Sequence, residues 1–524
     1  NPKVVWLPDD PRLGTYRKTF ANRLMLFEER PEGKAKGMDF FGNADDIEST
    51  FKVIDKLAKD NDNQVDQRFV LRSRLFDLWI GDWDRHDDQW RWAEFDKKKG
   101  KLYRPIPRDR DQAFFVNEGR IPKVFSKRWA LPKLQGFDYE LDWPPGFMFN
   151  ARYFDRSFLT GLSEQDWTDV ADSLANALTN ESIENAIHQW PKPIFDLHGE
   201  EIINKLKARR SNLKDYALDH YRFLAQEVSI VGSDKHERFE VEYLQNGAVK
   251  VVMFKTSKEG EKEKKLYERI FKENETREIR LQGLDGRDTF VFSGDNRTAI
   301  KVRVIGGKGE DALVADAHEK PIVYDKPGGL TVEDGSKFRD RRSDDKSVNE
   351  YNRREFKYNM VAPLIFGNFN VDDGIFLGGG FLATTHGFRK DPFKTRHLFL
   401  GSYAINTSSF NFNYKAEFTH LIGKWNGEID LDVKSPNFVN NFFGLGNESV
   451  FDKNIDDNPA INVDNAIDYY RLRFKQWSLD LRLTRKVGAH GFFKIGPTLQ
   501  LVELERPGKD RFVKDFEATL PEPI

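Results

Sequence analysis

The sequence predicts a multidomain chain. An α+β head rich in helix (residues 1–225) comes first, then a β-rich spacer wound as a solenoid or stacked as a sandwich (226–345). The opening strands of an antiparallel transmembrane β-barrel (355–524) close it. Three observations predict this order. Apolar residues recur at helical spacing in the head, short β-prone runs separated by Gly, Asp and Asn fill the spacer, and long stretches after residue 355 alternate apolar with polar.

In the head, 65–79 places Phe69, Leu71, Leu75, Phe76, Leu78 and Trp79 at helical spacing, and 166–178 and 200–224 behave alike. Ser163-Glu164-Gln165-Asp166 fits a capping box, the acid reaching back to the cap amide. Strands are expected at 228–231, 249–254, 289–292 and 300–305. The Lys- and Glu-rich stretch 257–265 reads as a solvated loop or turn, and 337–346 as a linker.

In the last region Phe410, Phe412, Tyr414, Ala416 and Phe418 interleave with Asn411, Asn413, Lys415, Glu417 and Thr419. Ile429, Leu431 and Val433 interleave with Asp430, Asp432 and Lys434. Tyr470, Leu472 and Phe474 alternate with Arg471, Arg473 and Lys475, and Trp477, Leu479, Leu481 and Leu483 follow. A soluble sandwich has the same period with shorter strands. Long strands with aromatic-rich ends favour a lipid-facing surface and a wet lumen.

Composition narrows the classes. The 524 residues are enough for about three to four domains. Charged residues make up 32% yet cancel to a formal net charge of −2, so no basic field argues for nucleic acid. No apolar run is long enough for a membrane-spanning helix, which leaves a closed barrel as the other way across a bilayer. Cysteine is absent, which excludes disulfides, thiolate metal sites and a Cys nucleophile. Asn1-Pro2-Lys3 opens into folded-looking sequence without a signal peptide, so the chain is expected to begin inside a larger gene product. It is likewise expected to stop, at Leu520-Pro521-Glu522-Pro523-Ile524, short of a closing strand.

Particular words sharpen the barrel. Asn368-Phe369-Asn370-Val371-Asp372-Asp373-Gly374 is followed by Gly378-Gly379-Gly380, Gly387-Phe388-Arg389 and Pro392-Phe393. Later comes Asn441-Phe442-Phe443-Gly444-Leu445-Gly446-Asn447-Glu448. This resembles the start of the surface-antigen barrel of the BamA/TamA superfamily, in the form typical of Bacteroidetes. The resemblance implies the first half of an outer-membrane barrel, with partners in the lipid bilayer and the envelope assembly machinery, and a head facing the periplasm. No POTRA-like repeat precedes Glu355, a departure from the core assembly machines.

The most chemically suggestive word in the head is Gly81-Asp82-Trp83-Asp84-Arg85-His86-Asp87-Asp88-Gln89-Trp90. A hairpin joins it to Arg108-Asp109-Arg110-Asp111-Gln112. Two acidic loops joined this way can divide the work of phosphoryl transfer, one Asp accepting a hydroxyl proton and the other holding Mg²⁺. The words resemble the CotH and HipA branch of atypical kinases. That resemblance implies Asp84 as catalytic base, Gln89 at the metal-binding amide position, Asp109 or Asp111 as the metal-binding acid, and Mg and ATP as cofactors. Residues 24–27 with Glu28-Glu29-Arg30-Pro31 match a hinge strand, and 206–213 a closing helix. Asp82 and Gln89 each replace an Asn of the pattern, and 1–20 lacks the nucleotide-gripping Lys and glycine-rich loop. Strings of Asp, Arg and His also make salt-bridged loop networks, and His86 reads as a structural pair as readily as a metal ligand.

In the spacer, 306–314 fits the calcium-binding nonapeptide Gly-Gly-x-Gly-x-Asp, and 283–291 repeats it 23 residues earlier with Leu284 at the second glycine. Asp288 and Asp311 are the candidate Ca ligands. A spacing of 23 fits two rungs whose glycine turns are kept for backbone reasons.

The modules in this order resemble long Bacteroidetes envelope proteins, some of which begin with a calcineurin-like metallophosphatase whose motifs are absent here. Three functions follow. The first is an accessory outer-membrane barrel protein acting in assembly, secretion or passenger display. The second is a membrane-tethered phosphotransferase or phosphohydrolase, and the third an interaction scaffold.

Overall fold

The computed structural model describes residues 3–27, 41–488, 490–504 and 510–520. The chain is multidomain, with helical and β-rich regions and large sheets, and it divides into two compact units, Asn1–Arg354 and Glu355–Ile524.

The first unit opens with the antiparallel strands Lys3–Leu7 and Arg23–Phe27. The second of these lies where the sequence suggests a hinge; Glu28-Glu29-Arg30-Pro31 fall outside the described residues. A four-stranded sheet follows, in the order Asp46–Ser49, Trp90–Asp96, Lys101–Pro107, Gln64–Val65.

Helix Gln67–Ile80 starts where the Asp66 carboxylate accepts the Phe69 N–H at 3.1 Å. It stops at Gly81, whose φ of 72° suits glycine, and a Cβ there would lie 2.8 Å from the Phe137 ring. The capping box at Ser163 makes both of its bonds and opens Glu164–Ala177. The stretch 200–224 belongs to two helices, Lys192–Ser211 and Leu213–Ala225, separated at Asn212. These elements share one core, in which Trp90 stacks on Phe154 with ring centres 4.6 Å apart.

From Glu227 the chain winds in rungs. Strands Glu227–Val231, Glu278–Gln282, Lys301–Ile305, Ile322–Tyr324 and Arg339–Asp340 pair in parallel to form one sheet. Strands Glu237–Tyr243, Thr289–Gly294, Asp311–Ala317 and Leu330–Val332 form a second in the same way. Glu278 lies opposite Lys301 and Thr289 opposite Ala312, so the 23-residue repeat is one rung. Phe239, Phe290 and Leu313 stack rung upon rung in the core.

A hairpin, Val249–Thr256 and Lys262–Phe271, extends the second sheet. Its outer strand takes up half of the 257–265 stretch expected as a loop. An edge strand tolerates Lys and Glu because one side faces water, so charge density alone did not mark it as a loop.

The glycine turns touch backbone to backbone. A Cβ on Gly309 would fall 1.6 Å from the Gly286 carbonyl oxygen, and one on Gly286 1.8 Å from that of Lys235.

The second unit is an antiparallel sheet, Met360–Asn370, Gly374–Thr385, Thr395–Ala404, Ser409–Ile422, Trp425–Asn441 and Arg471–Val487 in chain order. Gly491–Ile495 and Thr498–Leu504 both pair with Arg471–Val487. The sheet is open among the described residues.

The register aligns one apolar face across every strand. Phe381 lies opposite Phe399, Phe399 opposite Tyr414, Tyr414 opposite Leu431, Leu431 opposite Leu479 and Leu479 opposite Leu499. The other face carries Lys415 beside Asp430 (3.3 Å) and Glu428 beside Lys494 (2.9 Å), although its first three strands also hold Leu364, Leu382 and Leu398.

Alternation along the strand of Trp477 changes phase. Phe474, three residues before Trp477 in an unbroken strand, falls on the opposite face with Phe376, Ala404 and Phe438, and the partner strand bulges between Lys434, which faces Gln476, and Phe438, which faces Phe474. Tyr470 ends a short helix, Ala466–Tyr470, before that strand begins.

Replacing Gly309 by Ala is expected to destabilise the rungs by about 1–3 kcal/mol, the usual cost of forced overpacking. Limited proteolysis across 283–310 should detect it as faster cleavage.

Candidate functional site

The loop after Gly81 is built around a buried charge network. Asp77, on the last turns of helix Gln67–Ile80, is fully buried and receives Arg74 (2.7 Å), Arg110 (2.8 Å) and Arg85 (3.3 Å). Arg74 also bridges to Asp155 at 2.7 Å, and His220 meets the same carboxylate at 2.9 Å. Three carboxylates, counting Asp82, thus face three guanidinium groups. Such a set is tolerable out of water only when paired.

Arg85 ties the two acidic loops together. Its side chain is fully buried, lies 4.5 Å over the Trp90 ring, and donates to the carbonyls of Arg108 (2.5 Å), Asp109 (3.2 Å) and Gln89 (3.2 Å). Arg110 on the second loop reaches back to Asp77, and the Phe114 N–H donates to the Ile80 carbonyl. The hairpin between the loops therefore returns 108–114 to the end of the helix.

The sequence-predicted residues fall as follows. Asp84 is half-buried and accepts a hydrogen bond from the Asn150 amide. Gln89 is buried. Asp109 and Asp111 are exposed, Asp109 with a left-handed φ of 51° and Asp111 accepting from Gln112 at 3.1 Å. His86 is exposed and turns its Nδ1 to the Asp88 N–H. Among the described residues no group of three or more His, Asp or Glu side chains is placed to hold a metal ion. Gln89 is thus buried while the two loop aspartates stand exposed on the second loop.

Asp82, in place of an Asn of the kinase-like pattern, is buried with no hydrogen bond to either oxygen. Burial raises its pKa to about 7, although Arg85 at 3.5 Å works the other way. Arg209 closes the site from helix Lys192–Ser211 by donating to the carbonyls of Leu78 (2.6 Å) and Trp79 (2.9 Å), the terminal acceptors that a helix end leaves open. Burial lowers its pKa to about 10. Asp77, Asp155 and Asn150 were not singled out in the sequence, and Arg209 entered only within the closing-helix word 206–213. Each lies far along the chain from the loop it serves or inside a helical pattern that already had a packing explanation.

A second acidic cluster runs along the rungs. The Glu237 N–H donates to Asp288 (2.8 Å) and the Asp288 N–H to Asp311 (2.9 Å), so each carboxylate holds the preceding rung. Asp325, absent from the sequence reading, joins beside Asp311. A Cβ on Gly306 would meet Oδ2 of Asp311 at 2.3 Å and of Asp325 at 2.4 Å. In Asp288, Asp311 and Asp325 the remaining Oδ2 is buried without a hydrogen bond. Glu237 is satisfied by Asn61 (2.6 Å), Ser233 and the Ser233 N–H. Burial raises the pKa of Asp288 well above its usual value, that of Asp311 to about 7 and that of Asp325 to about 6. Either bound protons or a cation such as the Ca²⁺ expected at Asp288 and Asp311 would neutralise such a column.

No family model matches this chain, and no curated protein or solved structure matches it.

Two outcomes are expected. Arg85→Ala should cost about 3–5 kcal/mol in unfolding measurements, because it leaves Asp82 buried without its cation and takes one of three from Asp77. The acid column should make stability pH-dependent in the opposite sense to a salt bridge. A raised acid binds its proton more tightly folded than unfolded, so its contribution is complete below about pH 4 and lost as pH climbs toward 7. Asp311→Asn should flatten that slope in melting curves taken between pH 4 and 8.

Proposed function

We propose that residues 355–524 lie in the outer membrane as barrel strands of the BamA/TamA type, and that the first unit is the accessory domain they carry. The protein would act in outer-membrane assembly, secretion or passenger display. One observation carries the reading: the antiparallel sheet aligns an apolar face across all its strands, and that face is left largely open. Ile365, Leu377, Phe412, Trp477, Leu481, Leu499 and Leu501 all expose more than a third of their surface. Each such side chain left in water forgoes about 1.5–3 kcal/mol. Lipid supplies that cover for barrel strands, while the opposite, charged face suits a wet lumen.

The phosphotransferase reading with Mg and ATP stays as the second proposal, favoured by the way Arg85 holds the loop of Asp84 against Asp109. Calorimetry with Mg²⁺ and ATP on the full chain in detergent tests it. Binding abolished by Asp109→Ala or Asp111→Ala supports it, and no binding at millimolar ATP leaves the head a docking scaffold.

For the membrane reading, the chain should stay in the membrane pellet through urea and high-pH washes and come out only in detergent. Leu479→Arg should reduce folded, membrane-inserted protein, by about 2–4 kcal/mol at mid-bilayer. A chain that is soluble without detergent and indifferent to this substitution contradicts the reading.

A further inference from the structure

Directly after the second acidic loop, the first unit displays a segment unlike the rest of its surface. Helix Arg120–Phe125 puts Ile121, Val124 and Phe125 on one face, at i, i+3 and i+4. None of the three is covered: Ile121 is 71% exposed, Val124 51% and Phe125 51%. Val116 and Leu131 nearby are also about half exposed, and Trp129 is 37% exposed against Phe125 at 6.3 Å. Side chains of this kind are ordinarily the first to be buried, and a run of them marks a surface meant for something apolar.

The charges around it have one sign. Between 119 and 133 stand Arg120, Lys123, Lys127, Arg128 and Lys133, with no Asp or Glu. Arg120 and Lys123 make no ion pair among the described residues. Lys127 reaches the exposed Asp142 at 2.9 Å, and Arg128 and Lys133 lie over the rings of Trp143 and Trp83. Arg120 and Lys123 thus stand, without ion pairs among the described residues, beside exposed aliphatic side chains.

We infer that 116–131 is an interfacial anchor that lies on an anionic lipid surface. Ile121, Val124, Phe125, Trp129 and Leu131 enter the headgroup boundary, and the five basic residues contact phosphate. An apolar stripe alone would fit a protein groove equally well. The cationic flank, in which Glu118 is the one acid of 116–131, together with an aromatic residue suited to the boundary between water and hydrocarbon, favours lipid. Pro122 and the brevity of the helix suit a segment that lies in the interface and does not span.

The absence of cysteine gives a clean test. The full chain carrying Ile121→Cys is labelled with an environment-sensitive bimane and placed in nanodiscs of phosphatidylcholine alone or with phosphatidylglycerol, each with a doxyl-lipid quencher. The expected result is a blue shift and quenching only with phosphatidylglycerol, lost in high salt and weakened roughly tenfold or more by Arg120→Glu with Lys123→Glu. A label that stays in water in both discs overturns the inference. So does one that is equally buried with and without anionic lipid, or already shielded in detergent, because the partner is then not an anionic surface. Leu481→Cys, labelled in parallel, reports the sheet: if it is quenched while position 121 is not, only the present inference falls.

Discussion

An apolar face spread over a single sheet has to be covered, and that requirement governs how the second unit can exist. In a sandwich a second layer supplies the cover, and the strands stay short because the core between layers is small. Here strands reach 17 residues, and the apolar ladder from Phe381 through Tyr414 and Leu431 to Leu499 keeps its phase across every pairing. Period two gives the sheet two chemically different sides, so the environment must have two sides as well. In the proposed barrel, a lipid phase outside and water inside would meet that condition.

The first unit solves a different problem, which is how to bury many charges. Around Asp77 the solution is pairing: Arg74, Arg85 and Arg110 converge on one carboxylate, and Arg85 spends its remaining donors on carbonyls of both loops. In the rungs backbone N–H groups hold one oxygen of Asp288 and one of Asp311, while burial raises the pKa of both carboxyls. The two devices respond oppositely to pH, so the head and the rungs are expected to weaken under different conditions. Arg353 binds Asp87 of the loop through two bonds, 2.7 and 2.6 Å, fastening the end of this unit to the same loop.

Much of the organisation was legible because it rests on local rules. The capping box at Ser163 and the helical spacing of 65–79 are specified by residues a few positions apart, and the glycine turns recur at a fixed interval of 23 residues. What could not be read was the pairing of distant charges. Nothing near Asp77 in the sequence announces Arg110 or Arg85 as its partners, and nothing near Asp84 announces Asn150. The edge strand Lys262–Phe271 was obscured by its charges, and the bulge between Lys434 and Phe438 depends on how two strands pair. The acids of the kinase-like words were visible, but their burial was not, and burial decides what Gln89 and Asp82 can reach.

The central claim is that one side of the sheet meets lipid and the other water, and a single-cysteine scan from 428 to 433 in native membranes tests it most directly. Glu428, Asp430 and Asp432 alternate there with Ile429, Leu431 and Val433. With a charged, membrane-impermeant maleimide, cysteines at 428, 430 and 432 should label while those at 429, 431 and 433 stay protected until detergent is added. Equal labelling of both sets, or protection of the charged set alone, would contradict the account.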